Sequence, residues 1–231
     1  MKRVLIIIFL LVPSISFAQR YIYMNGIIGH YLMEDMRELQ KVLVQDLQDS
    51  GIPAKAVLTF PASFQGEVGI DFTIRDRLLR AYTLGGFLNY TLTEGLISYS
   101  DYSGEMSIQQ MITRIAIGAR GSRSIGRGFA AYAKVAFSMS NLDIVSRTSL
   151  QNGASDEEDL GFSAAGLLVH PGVQWSKVYG RFAFTVLGGF EANLSGKTAY
   201  FEGYHLLDKW GNPARIDWTG FRLGVGTTFK L

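Results

Sequence analysis

The chain has 231 residues, with 22 Lys and Arg against 20 Asp and Glu, 48% hydrophobic residues, 26 Gly, five Pro and no Cys. A net charge of +2 excludes a strongly basic nucleic-acid binder, and the lack of Cys excludes disulfides, zinc ribbons, a Cys nucleophile and lipid attachment through Cys. Low Pro with high apolar content excludes collagen-like and disordered chains.

Lys2 and Arg3 precede an unbroken apolar run, Val4 to Val12; Pro13 breaks it, and Ser16-Phe17-Ala18 places small residues before Gln19. This is the pattern of a secretory signal peptide over residues 1–18. The run is too short to span a bilayer as a helix, which takes about 20 residues. Without it, residues 19–231 carry 20 charges of each sign, so no polyanion partner follows from the basic balance.

Residues 20–31 (beginning Arg20, Tyr21, Ile22, Tyr23, Met24, Asn25, Gly26) alternate poorly but have the length of a strand. Over 33–49 the rhythm changes. Leu32, Met36, Leu39, Leu43 and Leu47 fall at helical spacing, Glu34 and Asp35 suit a helix start, and Gly51 and Pro53 a stop. An amphipathic helix of about four turns is expected there. It is read as packing on or into a barrel mouth, or else as a lid or partner-binding element; its acidic polar face argues against a membrane-surface helix.

Strand alternation then dominates. In 64–74, Phe64, Val68, Ile70 and Phe72 oppose Gln65, Glu67, Gly69 and Asp71. In 129–140, Phe129, Val135, Phe137 and Met139 oppose Tyr132, Lys134, Ala136 and Ser138. In 181–194, Phe182, Phe184, Phe190 and Leu194 oppose Arg181, Thr185, Glu191 and Asn193, and the last strand sets Phe221, Leu223, Val225 and Phe229 against Arg222, Gly224, Gly226 and Lys230. Segments 78–92, 108–120 and 162–175 follow the same rhythm less strictly. No segment after the signal has the apolar length of a transmembrane helix.

The less apolar face is rich in Gly, Ala, Ser and Thr rather than in long solvated side chains. Small residues suit the axis of a narrow barrel and bulky apolar ones suit lipid. Only a closed barrel satisfies strand backbones without water. Short connections are expected at Arg75-Asp76-Arg77, Gly121–Gly126 and Ser176–Tyr179, and long ones at 93–106, 141–161 and 195–214. This is the asymmetry of outer-membrane barrels, with short periplasmic turns and long external loops, and their even strand number requires 20–31 as the eighth strand. The expected fold is therefore all-β: an eight-stranded antiparallel up-and-down transmembrane β-barrel, one domain over 19–231, with a short helix in the first external loop.

With this signal, this strand pattern and Phe229 third from the end, the chain resembles the small Gram-negative outer-membrane β-barrel proteins of OmpA/OmpX type, and more narrowly the outer membrane protein β-barrel domain family. The resemblance covers all of 19–231 and carries no catalytic motif. Leu231 departs from the aromatic last residue usual in such barrels, although Val225, Phe229 and Leu231 keep one phase. The resemblance implies location in the outer membrane, contact with its lipid and lipopolysaccharide, recognition by the barrel-insertion machinery, and a monomer.

Candidate site residues are the inward charges near mid-height: Glu67, Arg114, Lys134, His170, Glu191 and Arg222, with Asp71, Arg120, Arg181 and Lys230 lower. An eight-stranded interior is just wide enough for side chains to fill it, and buried charges must pair. An internal salt-bridge network plugging the barrel is expected; the alternative is a narrow, anion-preferring pore for small solutes. A second alternative is a lipid-modifying enzyme, with His30 as base and a Ser and Asp from the loop Ser98-Tyr99-Ser100-Asp101-Tyr102-Ser103. Asp156-Glu157-Glu158-Asp159 reads as a solvated loop, since four consecutive carboxylates without a Gly turn do not make a calcium site. Trp175, Tyr82, Phe182 and Phe229 suit interfacial aromatic girdles. The expected function is non-enzymatic: envelope integrity, adhesion or contact with an extracellular partner through the loops, with no cofactor, no metal and no nucleic acid.

Overall fold

A computed structural model describes residues 19–75, 81–101, 104–150, 154–195, 199–200, 206–207 and 211–231. The signal segment 1–18, the turn residues Asp76 and Arg77, Tyr102, Ser103 and His205 lie outside the described residues. The elements are β1 (Gln19–Tyr31), α1 (Glu34–Asp49), β2 (Lys55–Thr59), β3 (Ser63–Arg75), β4 (Ala81–Asp101), β5 (Gly104–Gly126), β6 (Phe129–Leu150), β7 (Ser155–Tyr179), β8 (Phe182–Ser195), β9 (Ala199–Tyr200) and β10 (Gly220–Lys230). Among the described residues no helix is long and apolar enough to cross a membrane.

Eight strands close a ring in the order β4-β3-β1-β10-β8-β7-β6-β5, with β5 returning to β4. Every pairing is antiparallel. Residues 20–31 do form the first strand, which pairs with β10 from Tyr21↔Lys230 to Tyr31↔Gly220 and so closes the barrel between the two ends of the folded chain. The short β2 and β9 are additions, paired with the outer parts of β4 and β7.

The side-chain phases fall as the alternation requires. Phe64, Phe137, Leu194, Phe221 and Leu223 are exposed on the outer wall, while Glu67, Lys134, Glu191 and Arg222 are buried inside. On β6 the outward apolar set runs from Phe129 to Met139. Ten residues at about 3.4 Å each, tilted by about 40°, cover about 26 Å, the height of an outer-membrane apolar band. Two inward glycines permit the tight interior: Tyr23 stands opposite Gly69 and Tyr132 opposite Gly172. Each tyrosine ring lies where a Cβ on its glycine would sit.

Four expected connections need correction. The turns expected at Gly121–Gly126 and Ser176–Tyr179 are strand; the chain reverses later, at Arg127-Gly128 (φ 53° and 86°) and at Gly180-Arg181 (φ 63° at Gly180). Small residues there mark the narrow lumen end, not the turn. The long loops expected at 93–106 and 141–161 are largely continuations of β4–β7, strands of 21 to 25 residues against 11 to 14 for β1, β3, β8 and β10. Above the register row Leu92, Thr113, Asn141, Ser163 the polarity of the sheet inverts. Ile97, Ile108, Ile112 and Leu142 are buried on the inner face there, and polar residues such as Ser98, Asn141 and Asp143 take the outer one. Below that row the wall faces lipid; above it the same strands behave as a water-soluble sheet.

The inner face of this extension is covered by α1. The helix spans 34–49, as its spacing predicts, and buries Met36, Leu39 and Gln40. Leu43, Val44 and Leu47 pack around Ala54, Ile97 and Ile108. Leu32, expected in the apolar stripe, is instead exposed, because Met33 adopts a left-handed conformation (φ 43°) and turns its own side chain into the core.

Candidate functional site

The lumen is built in layers by side chains of the inward phase. At the end bearing the two-residue turns is a vestibule of about 150 Å³, lined by hydroxyls including Thr73, Ser122, Ser176 and Thr228. Ser176 and Thr185 share a hydrogen bond of 3.0 Å, and Thr83 and Ser122 share another. Above it, Arg120 lies 3.8 Å from Asp71, donates to the Gln174 amide oxygen, and has its guanidinium 4.7 Å and 5.5 Å from the rings of Tyr23 and Tyr132.

The six mid-height residues come next, all buried. Arg120, Lys134 and His170 are successive cross-strand partners on β5, β6 and β7. Adjacent cations on one wall are unfavourable unless an opposite charge faces them. That charge comes from β3 across the lumen: Lys134 donates to both oxygens of Glu67 at 2.6 Å, and the Asn25 amide adds a bond of 3.0 Å. His170 Nε2 lies 3.1 Å from the Tyr132 hydroxyl, with the rings edge to face. One layer higher, Glu191 on β8 accepts from Arg114 on β5 at 2.5 Å and pairs with Arg222 on neighbouring β10. Arg114 also donates to Thr91 at 3.1 Å. Lys134–Glu67 and Arg114–Glu191 thus join walls three strands apart in the ring, and Arg222–Glu191 joins neighbours.

A roof closes the charged layers. Trp218 lies over Arg114 at 4.6 Å, donates its indole N–H to Ser140 at 2.9 Å, and meets Tyr31 edge to face at 5.0 Å. Ala214 and Ile216 from the same segment, Met33, Met36 and Phe60 complete this cluster with Ile112 and Leu142 from the wall. Sequence reasoning missed this roof because Ala214 ends the segment read as the last long loop (195–214), and Ile216 and Trp218 fall between that loop and the last strand. The available signal was parity: Ala214, Ile216 and Trp218 continue the inward phase of Gly220 and Arg222.

The remaining candidates are placed elsewhere. His30 faces outward at the top of β1, level with residue 62. Ser98 and Asp101 lie four and seven residues further up β4 than the row facing that level, about 14–24 Å along the strand. The structure therefore does not bring the His–Ser–Asp set together. Asp156–Asp159 lies in exposed β7 strand rather than in a loop; the inward and outward alternation simply becomes polar on both sides there, and Glu157 bonds Arg147 at 3.1 Å. Arg181 is exposed in the last turn and Lys230 half-exposed. Phe182 and Phe229 touch at 5.0 Å, Tyr82 lies under Arg123 at 5.6 Å, and Trp175 is paired with Phe129, all at the turn end of the barrel.

A closed eight-stranded barrel with an apolar outer belt, a charged, side-chain-filled interior, tight turns at one end and long extensions at the other is an outer-membrane β-barrel. Among solved structures, the chain is similar to the neisserial surface protein NspA (13% identity, 92% of this chain and 97% of that one, TM-score 0.39). It is also similar to Ail, the attachment invasion locus protein of Yersinia pestis (9% identity, 93% and 99%, TM-score 0.40), and to the transport unit of the autotransporter AIDA-I from Escherichia coli (10% identity, 92% and 90%, TM-score 0.38). No protein-family profile matches the chain. No curated protein matches it either.

Proposed function

We propose that the protein is a non-enzymatic, plugged outer-membrane barrel whose work is done by the folded cap that β4–β7, α1 and residues 211–219 raise above the membrane: a structural or surface-interaction role such as envelope integrity or adhesion. The observation that supports this is the sealing of the lumen. Two layers of cross-lumen ion pairs, Lys134–Glu67 and Arg114–Glu191–Arg222, lie beneath a buried aromatic roof at Trp218. Charges engaged with each other and covered by indole are not free to lead an ion through. The partners this reading implies are outer-membrane lipid and lipopolysaccharide around the belt, the insertion machinery that reads the last strand, and an unidentified extracellular ligand of the cap; the barrel acts as a monomer.

Single-channel recording in planar bilayers tests the plug. The wild type and Glu67→Ala are both expected to show no resolvable unitary conductance. A stable conductance step from the wild type would overturn the plugged reading in favour of a narrow pore.

A further inference from the structure

Above Gly29↔Ser63 the β1–β3 ladder ends, and Arg37 of α1 reaches both the Tyr31 carbonyl at the top of β1 and the Phe60 carbonyl at the start of the link 60–62. A notch of about 670 Å³ remains there, bounded by His30, Arg37, Gln40, Lys41, Phe60 and Pro61 among others, and no acidic side chain lines it. Its position is distinctive. His30 points outward, in phase with Ile28, and pairs across the sheet with Phe221. Ile28, Phe64 and Phe221, at 52%, 70% and 71% exposure, form the apolar wall immediately around and below it. The notch therefore sits where the lipid-facing belt ends and water begins.

Its polar groups are unevenly satisfied. Among the described residues, Arg37 Nη2 makes only long bonds, 3.4 Å, to the Tyr31 and Phe60 carbonyls, and its buried Nε has no partner. Gln40 is 1% exposed; its Nε2 donates to the Leu58 carbonyl at 2.8 Å, but its Oε1 has no donor among the described residues. Lys41, one turn after Arg37 and so on the same helix face, stands at the rim, held by Glu38 at 2.6 Å. Buried polar groups normally find partners. Two permanent cations and a histidine call for an anion with several acceptor oxygens, and a buried carbonyl calls for an N–H or O–H donor.

We propose that this notch binds the phosphate-bearing headgroup of a membrane lipid, with Arg37, Lys41 and His30 around the phosphate, Gln40 Oε1 accepting from a headgroup donor, and the acyl chains lying on Ile28, Phe64 and Phe221. A free anion would use the cations but not the adjoining apolar wall. A lipid uses both.

The test is equilibrium binding to the full-length protein folded in a non-ionic detergent, with dihexanoyl phosphatidic acid, dihexanoylglycerol and inorganic phosphate as probes. Phosphatidic acid is expected to bind at concentrations at which the other two do not. Arg37→Gln with Lys41→Gln should weaken it by about tenfold, the loss of two partly exposed charge contacts. His30→Gln with Lys41→Gln keeps the Arg37 bonds that tie α1 to the barrel, so it decides the matter if the first variant fails to fold; it too should bind more weakly. Arg123→Gln with Lys177→Gln, at the opposite rim, should bind like the wild type. Inorganic phosphate binding as tightly as the lipid, or unchanged lipid affinity in both notch variants, would overturn the proposal.

Discussion

Glu191 accepts a hydrogen bond from Arg114 and forms an ion pair with Arg222, and both guanidinium groups are buried. Removing one partner from a buried ion pair leaves an uncompensated charge and costs about 3–5 kcal/mol. Glu191→Gln is therefore expected to lower stability by about that amount, read as the urea midpoint of the folded barrel in detergent. Glu157→Gln, which breaks the exposed contact with Arg147, should leave the midpoint where it was. The tyrosine–glycine pairs give a second residue-scale prediction. A side chain at Gly172 must displace the Tyr132 ring, so Gly172→Val should destabilise by about 1–3 kcal/mol. Only the Tyr132 share of that loss should be absent when Tyr132 is already Ala, because a Cβ at 172 also lies 2.5 Å from the Gly188 carbonyl oxygen; the partial non-additivity is measurable in a double-mutant cycle. Of these features the charges were legible in the sequence: Glu67, Arg114, Lys134, His170, Glu191 and Arg222 all sit in the polar phase of otherwise regular strands. Which cation meets which carboxylate was not, because Lys134–Glu67 and Arg114–Glu191 join strands three apart in the ring and all the pairs depend on stagger that single strands do not encode.

At the scale of elements, one strand set serves two solvents. The lower halves of β4–β7 were readable because bulky apolar residues alternate with small or charged ones. The upper halves were misread as loops because the pattern inverts, and apolar residues such as Ile97, Ile108 and Leu142 move to the inner face. A helix was readable at 33–49, but its seat became evident only once those inner isoleucines had a position. Met36 links α1 to the roof. Met36→Asp should release the helix, so that trypsin cuts at Arg37 or Lys41 in the variant and not in the wild type, while the barrel keeps its heat-modifiable migration. The acidic run has an element-scale reading as well. Between 155 and 161, β7 pairs with β6 on one side and with no described strand on the other. Four carboxylates on a free edge oppose pairing with a second chain. Replacing Asp156, Glu157, Glu158 and Asp159 by Asn and Gln should promote self-association in detergent, detectable by light scattering.

For the whole molecule, the ring explains why the composition shows no excess of charge and no Cys: the sheet is closed on itself, its outer face is apolar, and its inner charges are mutually engaged. The short β1, β3, β8 and β10 and the long β4–β7 make the barrel taller on one side, and α1 with Ala214, Ile216 and Trp218 fills the space that this difference in height leaves above the lumen. The orientation follows from the turns. The two-residue reversals at Arg127-Gly128 and Gly180-Arg181 belong in the periplasm, and the far ends of β4–β7, at Asp101, Gly104, Leu150 and Ser155, outside the cell. An epitope inserted at 151–153, compared with one inserted between Arg127 and Gly128, tests this account most directly. Antibody should label intact cells carrying the first and reach the second only after the outer membrane is permeabilised. Labelling of the 127–128 epitope on intact cells, or of neither epitope except in a soluble fraction, would contradict it.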